Sequence, residues 1–128
     1  MANELILIVE DNEKNRKLAR DVLTHQGYRV LEAENAEDGL AAVARERPAL
    51  ILMDIHLPGI DGIEALRRLR ADAATRTIPV IAVTASVMTH DRQKILAAGF
   101  DGYQSKPISV RPFLAAVRDT LDGAAGRA

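Results

Sequence analysis

The chain has 128 residues, 48% of them hydrophobic and 3% aromatic, with no tryptophan and no cysteine. That suits one domain with an aliphatic core, and it excludes disulfides, leaving oxygen or imidazole as the ligands of any metal site. A formal net charge of −1 from 17 basic and 18 acidic residues lacks the basic surplus of a nucleic-acid-binding module. No stretch approaches the ~20 apolar residues of a membrane span. The apolar run near Met1 is too short for a secretory signal. The expectation is a cytoplasmic protein that binds neither nucleic acid nor membrane.

Leu5-Ile6-Leu7-Ile8-Val9 is an apolar run that stops at Glu10-Asp11-Asn12. Runs of this kind read as strands buried on both faces. Asn12 can cap a helix whose apolar face is Leu18, Ala19, Val22 and Leu23, ended by Gly27. Tyr28 to Ala33 reads as a second strand, interrupted by Arg29 and Glu32. Asn35 caps a helix using Ala36, Leu40, Val43 and Ala44, with Pro48 just beyond it. Leu50 to Met53 is a third strand ending at Asp54. The stretch His56 to Gly62 is dense in turn residues and leads into a helix with Ile63, Leu66 and Leu69. Ile78 to Val83 is a fourth strand ending at Thr84. Val87 to Ala98 is a helix, less clearly amphipathic than the others, and Asp101 to Ser105 is a short polar fifth strand. Val110, Phe113, Leu114, Val117 and Leu121 mark an amphipathic last helix, followed by a small polar tail over 122–128.

Five strands alternating with five helices predict an α/β fold with a parallel sheet covered on both faces. The apolar strands one, three and four belong at the centre and the mixed strands two and five at the edges. The order 2-1-3-4-5 satisfies this, the flavodoxin-like doubly wound arrangement, and the domain is expected over residues 1–121.

In such a sheet ligands bind beyond the carboxyl ends of the strands, at the switch between strands one and three. Glu10 and Asp11 close strand one, Asp54 strand three and Thr84 strand four, while Lys106 follows strand five. Taken singly, each has a plainer reading: Asp54 or Thr84 as a helix cap, Lys106 as a surface charge, Glu10-Asp11 as favourable charges at a helix N-terminus. Their joint placement on one edge of the sheet is the signal. Like charges 4 Å apart repel by roughly 4 kcal/mol at an effective dielectric of 20, so three carboxylates call for Lys106 and a divalent cation. Hard oxygen ligands select magnesium, or manganese, over zinc and copper. A carboxylate beside a metal, an ammonium and a hydroxyl is suited to phosphoryl transfer, with Asp54 attacking phosphorus to give an acyl phosphate. A carboxylate nucleophile needs no general base, because such groups are ordinarily ionised at neutral pH.

The stretches Val9-Glu10-Asp11-Asn12, Met53 to Gly62, Val83-Thr84-Ala85 and Ser105-Lys106-Pro107 resemble the signatures of response-regulator receiver domains, in order, from Glu4 to about Leu121. Ile78 to Ala85 and Tyr103 to Val110 are most similar to the DivK-like single-domain regulators of bacterial cell division and polarity, and receivers of hybrid histidine kinases share much of this pattern.

The resemblance implies that Asp54 accepts phosphate from a phosphohistidine on a sensor histidine kinase or a phosphotransfer protein. It assigns magnesium to Asp11, Asp54 and the backbone carbonyl of His56, with Glu10 ligating directly or through water. Phosphoryl oxygens fall to Thr84, Lys106 and backbone amides near His56 and Ala85. Tyr103 becomes a switch residue, turning as Thr84 moves and so changing the surface of helix four, strand five and helix five that meets a downstream protein. The Lys106-Pro107 bond is cis in typical receivers. The side chains of His56 and Ser86 are candidates for tuning phosphoryl lifetime, with a solvent-facing loop and a helix cap as their other readings. His25, His56 and His90 are isolated in sequence and are not expected as metal ligands.

A signalling switch rather than a turnover enzyme is therefore expected. It would act alone through protein contacts, given the Met1 start and no linker to an output domain, with an excised receiver of a longer regulator as the alternative. Flavin binding is disfavoured because Glu10-Asp11-Asn12-Glu13 would repel a phosphate. A haloacid-dehalogenase-type phosphatase is disfavoured because its Asp-x-Asp pair would follow the first strand.

Overall fold

The computed structural model describes residues 3–85, 89–106 and 108–125, with the side chains of 89–91, 124 and 125 outside the description. Its elements are β1 (Leu5–Val9), α1 (Glu13–His25), β2 (Arg29–Ala33), α2 (Ala36–Glu46), β3 (Leu50–Asp54), α3 (Gly62–Ala71), β4 (Val80–Thr84), α4 (Thr89–Ala98), β5 (Gly102–Ser105) and α5 (Val110–Ala125). The five strands form one sheet in the order β2-β1-β3-β4-β5. Every neighbouring pair is parallel, with Val9 opposite Met53, Asp54 opposite Val83 and Thr84 opposite Ser105. This is the order expected from the apolar and mixed strands. All of β3 is buried, whereas edge strand β2 has exposed positions at both Arg29 and Glu32.

Successive strand residues point to opposite faces, so the sheet separates two cores. Ile6, Ile8, Leu50, Leu52 and Ile81 pack with Ala19 and Leu23 of α1 and with Phe113, Val117 and Leu121 of α5. Leu7, Val9, Ile51, Met53, Val80 and Ala82 pack on the other face with Val43, Leu66, Leu69 and Ile95, from α2, α3 and α4. Side-chain caps fix where three helices start: Asn12 accepts from Asn15 N at 3.0 Å, Asn35 from Asp38 N at 2.7 Å and Asp61 from Glu64 N at 2.8 Å.

Four boundaries differ from the sequence expectation. Tyr28 precedes β2 because its N–H closes the end of α1 on Leu23 O (3.1 Å). Ile78 stays in a turn, its N–H bonded to Thr75 O (3.1 Å), so β4 begins at Val80. Likewise β5 begins at Gly102, because the Asp101 side chain accepts from Val80 N and from Arg70. The last helix runs through Ala125, past Leu121, helped by Arg118 pairing with Asp122 one turn on (2.9 Å). α2 ends on Arg47 in the left-handed region (φ 48°), where Pro48 disfavours continuing the right-handed helix. Ser86, the Lys106-Pro107 bond, the start of the fourth helix at Val87 and the tail beyond residue 125 lie outside the described residues.

Candidate functional site

Parallel strands bring their carboxyl ends to one edge, and the two central strands bring the acids. Glu10 leaves β1 directly and is buried, its N–H bonded to Ala33 O (3.0 Å). Its side chain accepts from Asn12 N (3.1 Å) and pairs with Lys106 Nζ (2.7 Å). Asp54, the last residue of β3, is 3% exposed and accepts from Lys106 Nζ on Oδ2 (2.9 Å) and from His56 N on Oδ1 (3.0 Å). Carboxylate oxygens of Glu10, Asp11 and Asp54 lie within 4.8 Å of one another, with Asp11 on the exposed side. One ammonium thus bridges two buried carboxylates while a third carboxylate faces solvent beside them.

The electrostatics follow from that crowding. Burial pushes Glu10 up to about 7, and the neighbouring Asp54 adds to the rise although Lys106 opposes it. For Lys106, burial alone would lower the pKa, but the Glu10 and Asp54 carboxylates outweigh it and raise it. The cluster carries more negative charge than its one cation balances. A divalent ion held by hard oxygens fits these three acids.

Thr84 is buried at the end of β4, and its carbonyl accepts from Lys106 N (2.9 Å), which ties the β4 and β5 ends together. Ala85 follows on the exposed side. Tyr103 is half-buried on β5 opposite Ala82, against the α2–α4 core, and the Arg92 guanidinium of α4 sits 4.9 Å from its ring centroid. The structure therefore brings Glu10, Asp11, Asp54 and Lys106 together, with Thr84 and Ala85 at the adjoining strand end, and leaves Tyr103 on the α4 side of β5. His56 contributes its backbone N–H, and its side chain is exposed. His25 sits in the last turn of α1, at the other end of that helix from Glu10.

Three contributors escape a reading of the sequence alone. Gly62 opens α3 so close to β3 that a Cβ there would collide with the Asp54 carbonyl oxygen and come within 3.0 Å of Ile55 Cα. Arg16 donates from Nη1 to the Glu10 carbonyl (2.9 Å). Arg92 covers Tyr103. Only Gly62 left any trace, as one of several turn residues before a helix. An apolar cleft lined by Ile8, Leu18, Ala19, Ile108 and Phe113 opens beside Glu10 and Lys106, between α1 and α5.

Known proteins resemble this chain in sequence and in fold. The chain is 44% identical over 119 residues to the polar-differentiation response regulator DivK of Brucella anthropi, covering 93% of this chain and 97% of that one. The Brucella ovis protein of the same name is 42% identical over the same shares. Among solved structures, the receiver domain of a sensor histidine kinase from Pseudomonas aeruginosa superposes with a TM-score of 0.86 at 33% identity, covering 94% of this chain and 98% of that one. That structure has a magnesium ion coordinated in its active-site cleft. No helix among the described residues is long and apolar enough to cross a membrane. The response regulator receiver domain profile matches residues 6–118, which takes in every strand end that builds the acidic site, and the chain belongs to that family.

Proposed function

We propose that the protein is a single-domain two-component response regulator in which Asp54 carries a phosphoryl group. The observation that carries this reading is the buried Asp54 carboxylate, held by Lys106 at 2.9 Å and grouped with Glu10 and Asp11 within 4.8 Å. Glu10, Asp11, Asp54 and the His56 carbonyl would hold magnesium, or manganese. When bound, the ion supplies neutralisation of the charge on the phosphoryl oxygens. An Asp54 oxygen forms a bond to phosphorus as the phosphorus–nitrogen bond of a donor phosphohistidine breaks, and the imidazole leaves. Lys106, already bonded to Asp54, turns to an oxygen of the new acyl phosphate, joined by the Thr84 hydroxyl and the Ala85 amide. The α1 surface near Glu10 and Lys106, where Leu18 is 37% exposed, offers an apolar contact for a kinase or phosphotransfer donor.

In the same reading, Thr84 moving onto the phosphoryl group lets Tyr103 turn, and the α4–β5–α5 surface changes for a downstream protein. The likeness to regulators named for polar differentiation supports a role in cell polarity and division, which the protein would perform in the cytoplasm. The protein would signal by its own phosphorylation and dephosphorylation rather than turn over a separate substrate. A receiver excised from a hybrid kinase is the second reading, favoured by the 33% identity to a kinase receiver; sequencing the gene on both sides decides between them. For the site itself, incubation with magnesium and acetyl phosphate should add one phosphoryl group by intact mass. An Asp54→Asn variant should gain none, and one that gains it at the wild-type rate overturns the assignment.

A further inference from the structure

Arg16 lies on α1, and its side chain is only 12% exposed. Its three guanidinium nitrogens serve three different segments. Nη1 donates to the carbonyl of Glu10 (2.9 Å), Nε stands 3.4 Å from Glu32 Oε1 on β2, and Nη2 lies 3.3 Å from Glu34 Oε1 in the turn after β2. Two of these contacts are ordinary carboxylate pairs, and Glu34 is 73% exposed, so they contribute little on their own. The third is different, because the peptide unit it grips joins two members of the acidic cluster. The Glu10 carbonyl and the Asp11 N–H share one rigid plane. Fixing that plane fixes where the Asp11 Cα, which carries the exposed carboxylate, stands relative to Glu10. The other handles on Glu10 are taken as well: its N–H by Ala33 O, and its carboxylate by Asn12 N and Lys106.

We propose that Arg16 is a positioning residue for metal binding: it clamps the Glu10–Asp11 peptide so that both carboxylates converge with Asp54, and it is itself anchored by Glu32 and Glu34. This rests on the reading of the acidic cluster as a divalent-cation site. The sign of the effect separates it from simple electrostatics. Removing a positive charge near a cation site should tighten cation binding by Coulomb attraction alone. Loss of a clamp should loosen it, by about tenfold where an outer partner of a ligand is lost.

Arg20 supplies the control. It lies one turn further along α1, carries the same charge and pairs with the same Glu32 (3.1 Å), but its contacts are with Glu32 and Asp21 rather than with Glu10. Titration calorimetry with magnesium chloride on the whole chain should show binding weakened about tenfold in Arg16→Ala, and unchanged or tightened in Arg20→Ala. In metal-free protein labelled with 13C and 15N, Arg16→Ala should move the Glu10 carbonyl resonance upfield and increase the mobility of the Asp11 amide, and Arg20→Ala should do neither. The proposal is overturned if Arg16→Ala binds magnesium as tightly as Arg20→Ala, or if the Glu10 and Asp11 resonances are the same in both variants. If wild type takes up no magnesium, the cation-site reading fails, and with it the role in metal binding. The resonance comparison then still reports whether Arg16 holds the turn.

Discussion

Burial pushes the carboxyl group of Glu10 up to about 7, with the Asp54 carboxylate adding to the rise against the pull of Lys106. In an unfolded chain the same group titrates near 4.5. Because the folded value is the higher one, the folded state holds a proton that the unfolded state releases between those two values. The stability linked to Glu10 is thus fully present below about pH 4.5 and lost as pH rises through 7, a swing of about 3 kcal/mol. Other carboxylates titrate over the same range, so the comparison with Glu10→Gln isolates the effect. In metal-free protein the two should unfold at similar urea concentrations at pH 5, and the glutamine variant should be the more stable at pH 8. If Glu10 ligates magnesium directly, the proton must leave, since a ligating carboxylate must be ionised. The metal's affinity for wild type should therefore rise nearly tenfold per pH unit below pH 7 and level off above it. Calorimetry at pH 6, 7 and 8 tests this, and an affinity flat across that range would remove Glu10 from the metal site. The same substitution that relieves the folded protein should cost it the metal.

The packing of α3 on β3 sets where Asp54 stands. Asp61 caps the helix, Gly62 N donates to Ile55 O (3.0 Å), and the missing side chain of Gly62 lets the helix start against the Asp54 carbonyl. In an open first turn, alanine for glycine would stabilise a helix by about 1 kcal/mol. Here the added methyl group meets backbone on both sides, and overpacking of that kind costs about 1–3 kcal/mol. Gly62→Ala should therefore be destabilising in urea unfolding and slow to take phosphoryl groups from acetyl phosphate; a gain in stability would show that the helix start is loosely held. The same contrast marks what is legible in the sequence. Strand ends were readable because parallel strands emerge on one edge, so apolar runs stopping at Glu10, Asp54 and Thr84 already align the site. The caps at Asn12 and Asn35 were readable from local chemistry. Gly62, Arg16 and Arg92 were not, since each acts on a residue from a different element and no local pattern records that approach. Nor was the true start of β4, where Ile78 continues the apolar run but bonds within a turn.

At the scale of the molecule, the acidic site sits on β1 and β3, two of the central strands that contribute to both cores. Alternate residues of β1 and β3 pack with α1 and α5 on one face and with α2, α3 and α4 on the other. Glu10 leaves the first of these strands and Asp54 ends the second, so separating these two carboxylates means breaking the centre of the sheet rather than opening a loop. α4 is placed differently: Leu96 is 51% exposed, while Ile95 is buried in the α2–α4 core and Ala98 packs against it. In the proposed switch, a helix with an exposed face of this kind can adjust while the sheet stays intact. A ligand that binds only the folded site then stabilises the entire domain by mass action, about 2.7 kcal/mol at a free concentration one hundred times its dissociation constant. For a domain of this size that corresponds to a rise of roughly 10 °C in melting temperature. Circular dichroism melts at pH 8 should show that rise with magnesium and its full reversal with a chelator. At pH 5.5, where Glu10 keeps its proton, the rise should shrink. It should also be much reduced in Asp54→Asn and Glu10→Gln, which each remove a carboxylate from the cluster. A rise of the same size in both variants would mean that magnesium stabilises the protein from somewhere other than the ends of β1 and β3.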